Sequence, residues 1–340
     1  MPEIRKDPVF GRWVIIASER GLRPNGFRAN AASNSAAGCP FCPGHEKQTP
    51  SAVYTVHAGK KGAKAGKRGA KRWRLRVIPN KYPALVSGGE WSSVTDGVYD
   101  RMDGIGSHEV VIETPFHDRQ FEEMSVREIA DVFKTFILRV REMKKDPRIK
   151  YTMIFKNFGR NAGASLSHPH SQIIAMPIAP IRVAQEIDGA AAYMRRTGRC
   201  VFCDILRQEA RHGKRVVGGN GDFLAVTPYA SRFSFETWIL PKKHESHFES
   251  MKPGSIRNLA VIVKSCMGKL RASMENFSYN LIVHTMPVQD PPAAHYHWHI
   301  EIMPKLSQAA GFEWGTGFYI NTVSPEDAAK MMNAGKKYRS

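Results

Sequence analysis

The chain has 340 residues, of which 42% are apolar, 10% aromatic and 24% charged, a make-up that fits a soluble globular protein with room for two cores. Its 50 Lys and Arg against 31 Asp and Glu leave a net charge of +19, which points to an anionic partner: a phosphorylated metabolite, nucleic acid or an acidic surface. Leu, Ile, Val and Phe are too frequent for a disordered chain, and no apolar run approaches the roughly 18–20 residues that cross a bilayer. The charged start, MPEIRKDPVFGRW, carries no signal-peptide pattern. A reducing, cytoplasmic location is therefore expected, where paired cysteines serve as metal ligands more often than as disulfides.

In chain order, the first marked feature is Cys39-Pro-Phe-Cys42. Residues 59–76 follow, with nine Lys or Arg, four glycines and no acid. Such a run has no apolar face to bury and reads as a solvated, mobile loop, with an anion-binding arm as the other reading. HEVVIET (108–114) reads as a strand. Residues 125–145 have helical periodicity, and Ser125 with Glu128 forms a capping-box start. YTMIFKN (151–157) is a strand again, followed by Asn157-Phe-Gly-Arg-Asn-Ala-Gly163-Ala-Ser165 and then His168-Pro-His170-Ser-Gln172. A second round starts at Cys200-Val-Phe-Cys203. It continues through a strand at 235–241, a helix at 253–274, a strand at 278–286 and His295-Tyr-His297-Trp-His299. Cys266 lies alone in an apolar helical stretch and reads as a core thiol.

The two rounds are one module duplicated. His117 precedes His168 by 51 residues, and His244 precedes His297 by 53. Cys42 to His117 spans 75 residues and Cys203 to His244 only 41, the difference being the basic loop and a second glycine-rich stretch in the first copy. Strands, a long helix and more strands in each half predict an α+β fold built from two modules, residues 1–180 and 181–340, with antiparallel sheets and flanking helices. Zinc wants four N or S ligands in a tetrahedron. One site would take Cys39, Cys42, His117 and a histidine of the 168/170 pair; the other would take Cys200, Cys203, His244 and one of His295, His297 and His299. On a strand the two histidines of H-x-H share a face, so one can bind metal while the other meets a ligand. An imidazole held in one tautomer by a carbonyl is a nucleophile at neutral pH, and the Gly/Asn/Ser loop before it suits phosphates.

These residues resemble the histidine-triad superfamily, in the duplicated branch that contains galactose-1-phosphate uridylyltransferase. CPFC, VIPNKYPAL, TPFH, NAGASLSHPHSQ, CVFC, FETWILPKKH and HWHIEIMP occur in the order of that branch across nearly the whole chain. The resemblance implies tandem histidine-triad-like modules, His168 as a ligand of the first zinc, His170 as the nucleophile and Gln172 as a hydrogen-bond donor to the transferring phosphoryl group. It implies nucleotide contacts from Arg20, Arg23, Asn80, Lys81 and Tyr82, phosphate contacts from Asn157, Gly163 and Ser165, and His297 as a ligand of the second zinc, with His295 as its substitute. His299 would be a vestigial nucleophile. It also implies a homodimer, in which the 311–319 segment with Phe312 and Trp314 acts as a donor or closing loop. The implied activity is exchange of UMP between UDP-glucose and galactose 1-phosphate through a nucleotidyl-histidine. Ser171, where better-known members carry Gly or Pro, is similar to plant ADP-glucose phosphorylase-like relatives and motivates an alternative, phosphorolysis of a nucleotide sugar. A zinc-containing nucleic-acid-binding protein is the reading from another class; against it, the basic residues cluster in one insertion.

Overall fold

In the computed structural model, residues 2–22, 36–58, 73–89, 92–275 and 277–338 are described. Strands β1 (Glu3–Lys6) and β2 (Trp13–Ile16) open the chain, followed by β3 (Tyr54–His57) and β4 (Trp73–Pro79). An exposed hairpin, β5 (Ser93–Asp96) and β6 (Tyr99–Met102), precedes β7 (Ser107–Ile112) and helix α1 (Val126–Met143). Next come β8 (Tyr151–Phe158), β9 (His170–Met176), α2 (Ile181–Thr197) and α3 (Val201–His212). The second half continues with β10 (Val216–Gly219), β11 (Phe223–Val226), β12 (Thr237–Pro241), α4 (Pro253–Ser273), β13 (Tyr279–His284) and β14 (His299–Pro304). It closes with α5 (Gly311–Thr316), β15 (Tyr319–Asn321) and α6 (Pro325–Ala334).

The order β3-β4-β7-α1-β8-β9 recurs as β10-β11-β12-α4-β13-β14. The two five-stranded halves meet edge to edge in one ten-stranded sheet, β10-β11-β12-β14-β13-β8-β9-β7-β4-β3, antiparallel throughout. At the seam, Asn280 of β13 pairs with Asn157 of β8 and Val283 with Ile154. Each half covers the edge strand that the other would otherwise leave open to aggregation. β1 and β2 lie with β15, so the N-terminal strands pack beside the second half.

Strand alternation sends one set of side chains to each face of the sheet. Val111, Ile154 and Ile173 from the first half, and Ala225, Ile239 and Ile300 from the second, join a continuous core with α1 and α4. Helix α1 forms there because Ile129, Phe133, Phe136 and Val140 recur on one stripe, and its start is held by the Ser125–Glu128 capping box. On the opposite face Cys39, Phe41, Ile78, Val110 and Ile112 cluster in the first half, and Cys200, Phe202, Val226 and Leu240 in the second. That face also carries the two Cys/His groups.

Three expectations need correction. The basic stretch is not a loop to its end: residues 59–72 lie outside the described residues, but Trp73–Pro79 is a strand, with Arg74 paired to Asp131 at 2.7 Å and Arg76 buried. Burial of Trp73 and Leu75 overrides the charge pattern there. The 311–319 segment is not an open loop: Gly311–Thr316 is a short helix with Gly317 as its left-handed C-cap, and Tyr319 starts a strand paired with β2. Neither H-x-H motif lies wholly on a strand. β9 starts at His170 and β14 at His299, so the first histidine of each pair belongs to the approach and can turn to its cysteines.

Candidate active site

The two Cys/His groups are assembled the same way by different local structures. Cys39 and Cys42 sit in a turn closed by the Cys42 N–H on the Cys39 carbonyl at 3.3 Å. Cys200, in contrast, is the N-cap of α3, and Cys203 lies in its first turn. Cys39, Cys42, His117 and His168 bring their ligand atoms within 4.8 Å of one another, and so do Cys200, Cys203, His244 and His297. The structure thus takes His297 into the second group, while His295 offers Cys200 only its backbone carbonyl, at 3.6 Å.

The donor sets fit a zinc ion. Tetrahedral bonds of about 2.0–2.3 Å place neighbouring ligand atoms roughly 3.3–3.8 Å apart. The sulfur-to-Nδ1 distances are 3.4 Å (Cys42–His117), 3.5 Å (Cys42–His168) and 3.8 Å (Cys39–His168) in one group. They are 3.4 Å (Cys203–His244) and 3.7 Å (Cys203–His297) in the other. The far nitrogens agree. His168 Nε2 donates to the Thr114 carbonyl at 2.8 Å, His244 Nε2 to Ala293 at 3.0 Å and His297 Nε2 to Pro241 at 2.7 Å. A proton on Nε2 leaves a lone pair on Nδ1, aimed at the sulfurs, which is the tautomer a metal requires. In the second group burial would raise the Cys200 thiol, but hydrogen bonds to His244 and His297 bring it below its usual range.

His170 stands at the start of β9 with 7% of its surface exposed and Phe41 edge-on at 5.4 Å. Its Nδ1 donates to the His168 carbonyl at 2.8 Å, so Nε2 keeps a free lone pair. Burial pushes its pKa below the usual 6.5, helped by the Lys156 charge and opposed by the carbonyl hydrogen bond. The imidazole is therefore neutral at physiological pH and available as a nucleophile or base. Beneath the strand, Ser171 points into the core and donates to Glu113, which pairs with Lys156 at 2.6 Å. Lys156 and Glu113 are wholly buried, so removing one partner would strand a charge at a cost of about 3–5 kcal/mol.

The other expected site residues among those described lie at five places around the sheet. Gln172, two residues along β9 from His170, shares its face; Asn157 sits at the end of β8, and its Oδ1 accepts from Asn280 Nδ2 at 2.8 Å. Gly163 caps the following 3-10 turn in left-handed conformation, and Ser165 is exposed beyond it. Asn80 follows β4, where its Oδ1 accepts from the Tyr82 N–H at 2.9 Å, with Lys81 and Tyr82 exposed. Arg20 is exposed in a 3-10 turn at Ser18–Leu22, whereas Arg23 lies outside the described residues. Phe312 and Trp314 are exposed on α5, with Trp314 Nε1 donating to Ala309 within its own segment.

In the second half the equivalent nitrogen is sealed from solvent. His299 is 1% exposed, stacked on His284 at 4.5 Å and walled by Trp238 at 4.9 Å and Phe202 at 5.2 Å. Its Nε2 faces Glu186 at 3.4 Å. Glu186, His284 and His299 form a third group able to hold a metal ion. Sequence reasoning missed it because its members come from α2, β13 and β14, with no spacing in common. It also missed His108 and Asn280, whose hydrogen bonds to Gln172 and Asn157 arise only from strand neighbours.

Fold and site together define a duplicated histidine-triad-like protein in which only the first half leaves the nitrogen of its second histidine open. Residues 106–339 match the family described as "Domain of unknown function (DUF4921)". The chain is 36% identical to an ADP-glucose phosphorylase of Arabidopsis thaliana over 338 residues, covering 97% of this chain and 92% of that protein. It is 27% identical to a galactose-1-phosphate uridylyltransferase of Thermotoga maritima, covering 98% of each. The crystal structure of an Arabidopsis thaliana ADP-glucose phosphorylase with bound ADP-glucose superposes with a TM-score of 0.81 at 34% identity, covering 98% of both chains. A uridylyltransferase structure does so with 0.73 at 27% identity, again over 98% of both. The chain belongs to the galactose-1-phosphate uridylyltransferase-like family, which includes enzymes of nucleotidyltransferase type. Among the described residues no helix is long and apolar enough to cross a membrane.

Proposed function

We propose that the protein is a nucleotide-sugar phosphorylase that moves the nucleotidyl group of an ADP-glucose-like substrate to inorganic phosphate through His170. The observation that carries the reading is the neutral, tautomer-locked imidazole with a free Nε2 beside the Gln172 amide. In the first step His170 Nε2 attacks the α-phosphorus; an N–P bond forms, the P–O bond to the β-phosphate breaks, and the sugar 1-phosphate leaves. In the second step a phosphate oxygen attacks the same phosphorus, the N–P bond breaks, and a nucleoside diphosphate is released. The covalent intermediate divides the exchange into two similar steps. Gln172, Asn157 and Ser165 would donate to the phosphoryl oxygens, and Arg20 and Arg23 would neutralise their charge. Asn80, Lys81 and Tyr82 would meet the nucleoside.

Phosphate is favoured as the acceptor by the similarity to ADP-glucose phosphorylase at 36% identity, with which the core-facing Ser171 agrees only as a mark of resemblance. The second reading, UMP exchange between UDP-glucose and galactose 1-phosphate, is supported by the relatives named for that activity. In either reading residues 1–180 form the catalytic module and 181–340 the vestigial one, and a cytoplasmic homodimer brings Phe312 and Trp314 to the sugar end of a site. Zinc in each Cys/His group would have no open coordination position, and its chemistry would be to hold the His168–His170 approach in place.

A label on the nucleotide tests the proposal. The protein should retain label from ADP-glucose, and His170→Ala should retain none. Phosphate should then discharge the labelled protein to ADP faster than galactose 1-phosphate does. Faster labelling by UDP-glucose with discharge by galactose 1-phosphate would favour the exchange reading. No retained label from either donor would overturn nucleotidyl transfer.

A further inference from the structure

His108 lies at the start of β7, between the nucleotide segment and the strand of His170. Its Nδ1 is 3.1 Å from the Ala84 backbone nitrogen, and its Nε2 is 2.8 Å from Gln172 Oε1. A backbone N–H can only donate, so Nδ1 accepts. The proton of a neutral imidazole then resides on Nε2, which has Gln172 Oε1 at 2.8 Å and Asn80 Nδ2 at 3.1 Å; since the Asn80 oxygen is taken by the Tyr82 N–H and its NH2 cannot accept, the proton goes to the Gln172 carbonyl oxygen. The glutamine amide is thereby oriented: its oxygen is held by His108 and its NH2 is left for the ligand. A glutamine free to rotate would present oxygen to a phosphoryl group half the time, and two oxygens repel.

We propose that His108 is a positioning residue that fixes the Gln172 amide with its donor end toward the transferring phosphoryl group. The inference rests on the nucleotidyl-transfer reading and deepens it. The second half shows that the fold does not need a histidine and a glutamine at this place. Val110 pairs with Gln172 in the first half, as Trp238 pairs with Glu301 in the second, so the counterparts of His108 and Gln172 are Glu236 and Glu301. There the fold is held by carboxylates bonded to Arg232 instead. A histidine–glutamine pair occurs only in the half with the free nucleophile.

Two conservative variants separate the contacts. His108→Asn places an acceptor where Nδ1 was, keeping the Ala84 contact but losing the donor to Gln172. His108→Gln does the reverse. With nucleotide-labelled ADP-glucose in single turnover, His108→Asn should form the labelled protein about 10–100-fold more slowly, with the apparent affinity for the nucleotide sugar changed less than about threefold. His108→Gln should recover to within about fivefold of the wild type. In a Gln172→Ala background, adding His108→Asn should cost less than about twofold, since the amide it positions is gone. Equal rates for His108→Asn and wild type would overturn the proposal. So would the reverse order of the two variants, or the same loss with and without Gln172. Absence of label on the wild type would overturn the nucleotidyl reading and this inference with it.

Discussion

The His170 imidazole is set by three neighbours. The His168 carbonyl takes the Nδ1 proton, burial disfavours the charged form, and Lys156 behind the strand repels it further. All that remains is a lone pair on Nε2. Because the pKa lies below 6.5, protonation removes the nucleophile only on the acid side of that value. The kcat/KM of the first half-reaction should therefore be level through neutrality and fall only below pH 6.5; a pH profile whose acid limb lies above 6.5 would contradict the assigned environment. Asn157 illustrates the same logic as Gln172 at residue scale. Asn280 from the other half occupies its Oδ1, which fixes the end at which its NH2 lies.

At the scale of elements, the 3-10 turn at Arg160–Ala162 brings the glycine-rich loop after β8 against β13. Asn280 Nδ2 also donates to the Ala162 carbonyl at 2.9 Å, tying the loop down. Gly159 permits the approach: its φ is +80°, and a Cβ there would lie 2.2 Å from Ser278 Oγ and 2.9 Å from Ser278 Cβ. Gly159→Ala should therefore cost at least about 2 kcal/mol. It should also slow nucleotidyl-protein formation, because Asn157 and Gly163 move with the loop. A denaturant midpoint equal to that of the wild type would show that the loop packs independently of β13. Helix α1 was legible beforehand in its cap and stripe, but α2 was not, since Ile181–Thr197 lacks a side-chain cap and buries only Val183, Glu186 and Ala190.

The molecule is dominated by one ten-stranded sheet with the two Cys/His groups on one face and helices α1 and α4 on the other. Each Cys/His group ties a turn or helix start to the approach of a central strand, so metal binding and folding are coupled. Elemental analysis should give two zinc per chain, and chelation should lower Tm and nucleotidyl-protein formation together. Fewer than one zinc in active protein, or loss of zinc with Tm unchanged, would contradict this role. The first site bears directly on His170, through His168 two residues away, so its loss should affect chemistry more than loss of the second.

By itself the sequence disclosed the duplication and the residue types of the two Cys/His groups, and it put forward His170 as the candidate nucleophile. These rest on chemistry that only a few residue types supply, at spacings that repeat: Cys39 and Cys42 with His117 and His168, then Cys200 and Cys203 with His244. Register and packing decided the rest. Nothing local tells His295 from His297, since both precede β14 within five residues; the turn of the approach aims His297 at Cys203 and leaves His295 outside. Nor does sequence explain why His299 is sealed and His170 is not, because Trp238, Phe202 and Glu186 close over it from three separate elements. His108 and Asn280 act across strands far from their targets in sequence, and a hydrogen bond between neighbouring strands has no signature until the sheet has formed.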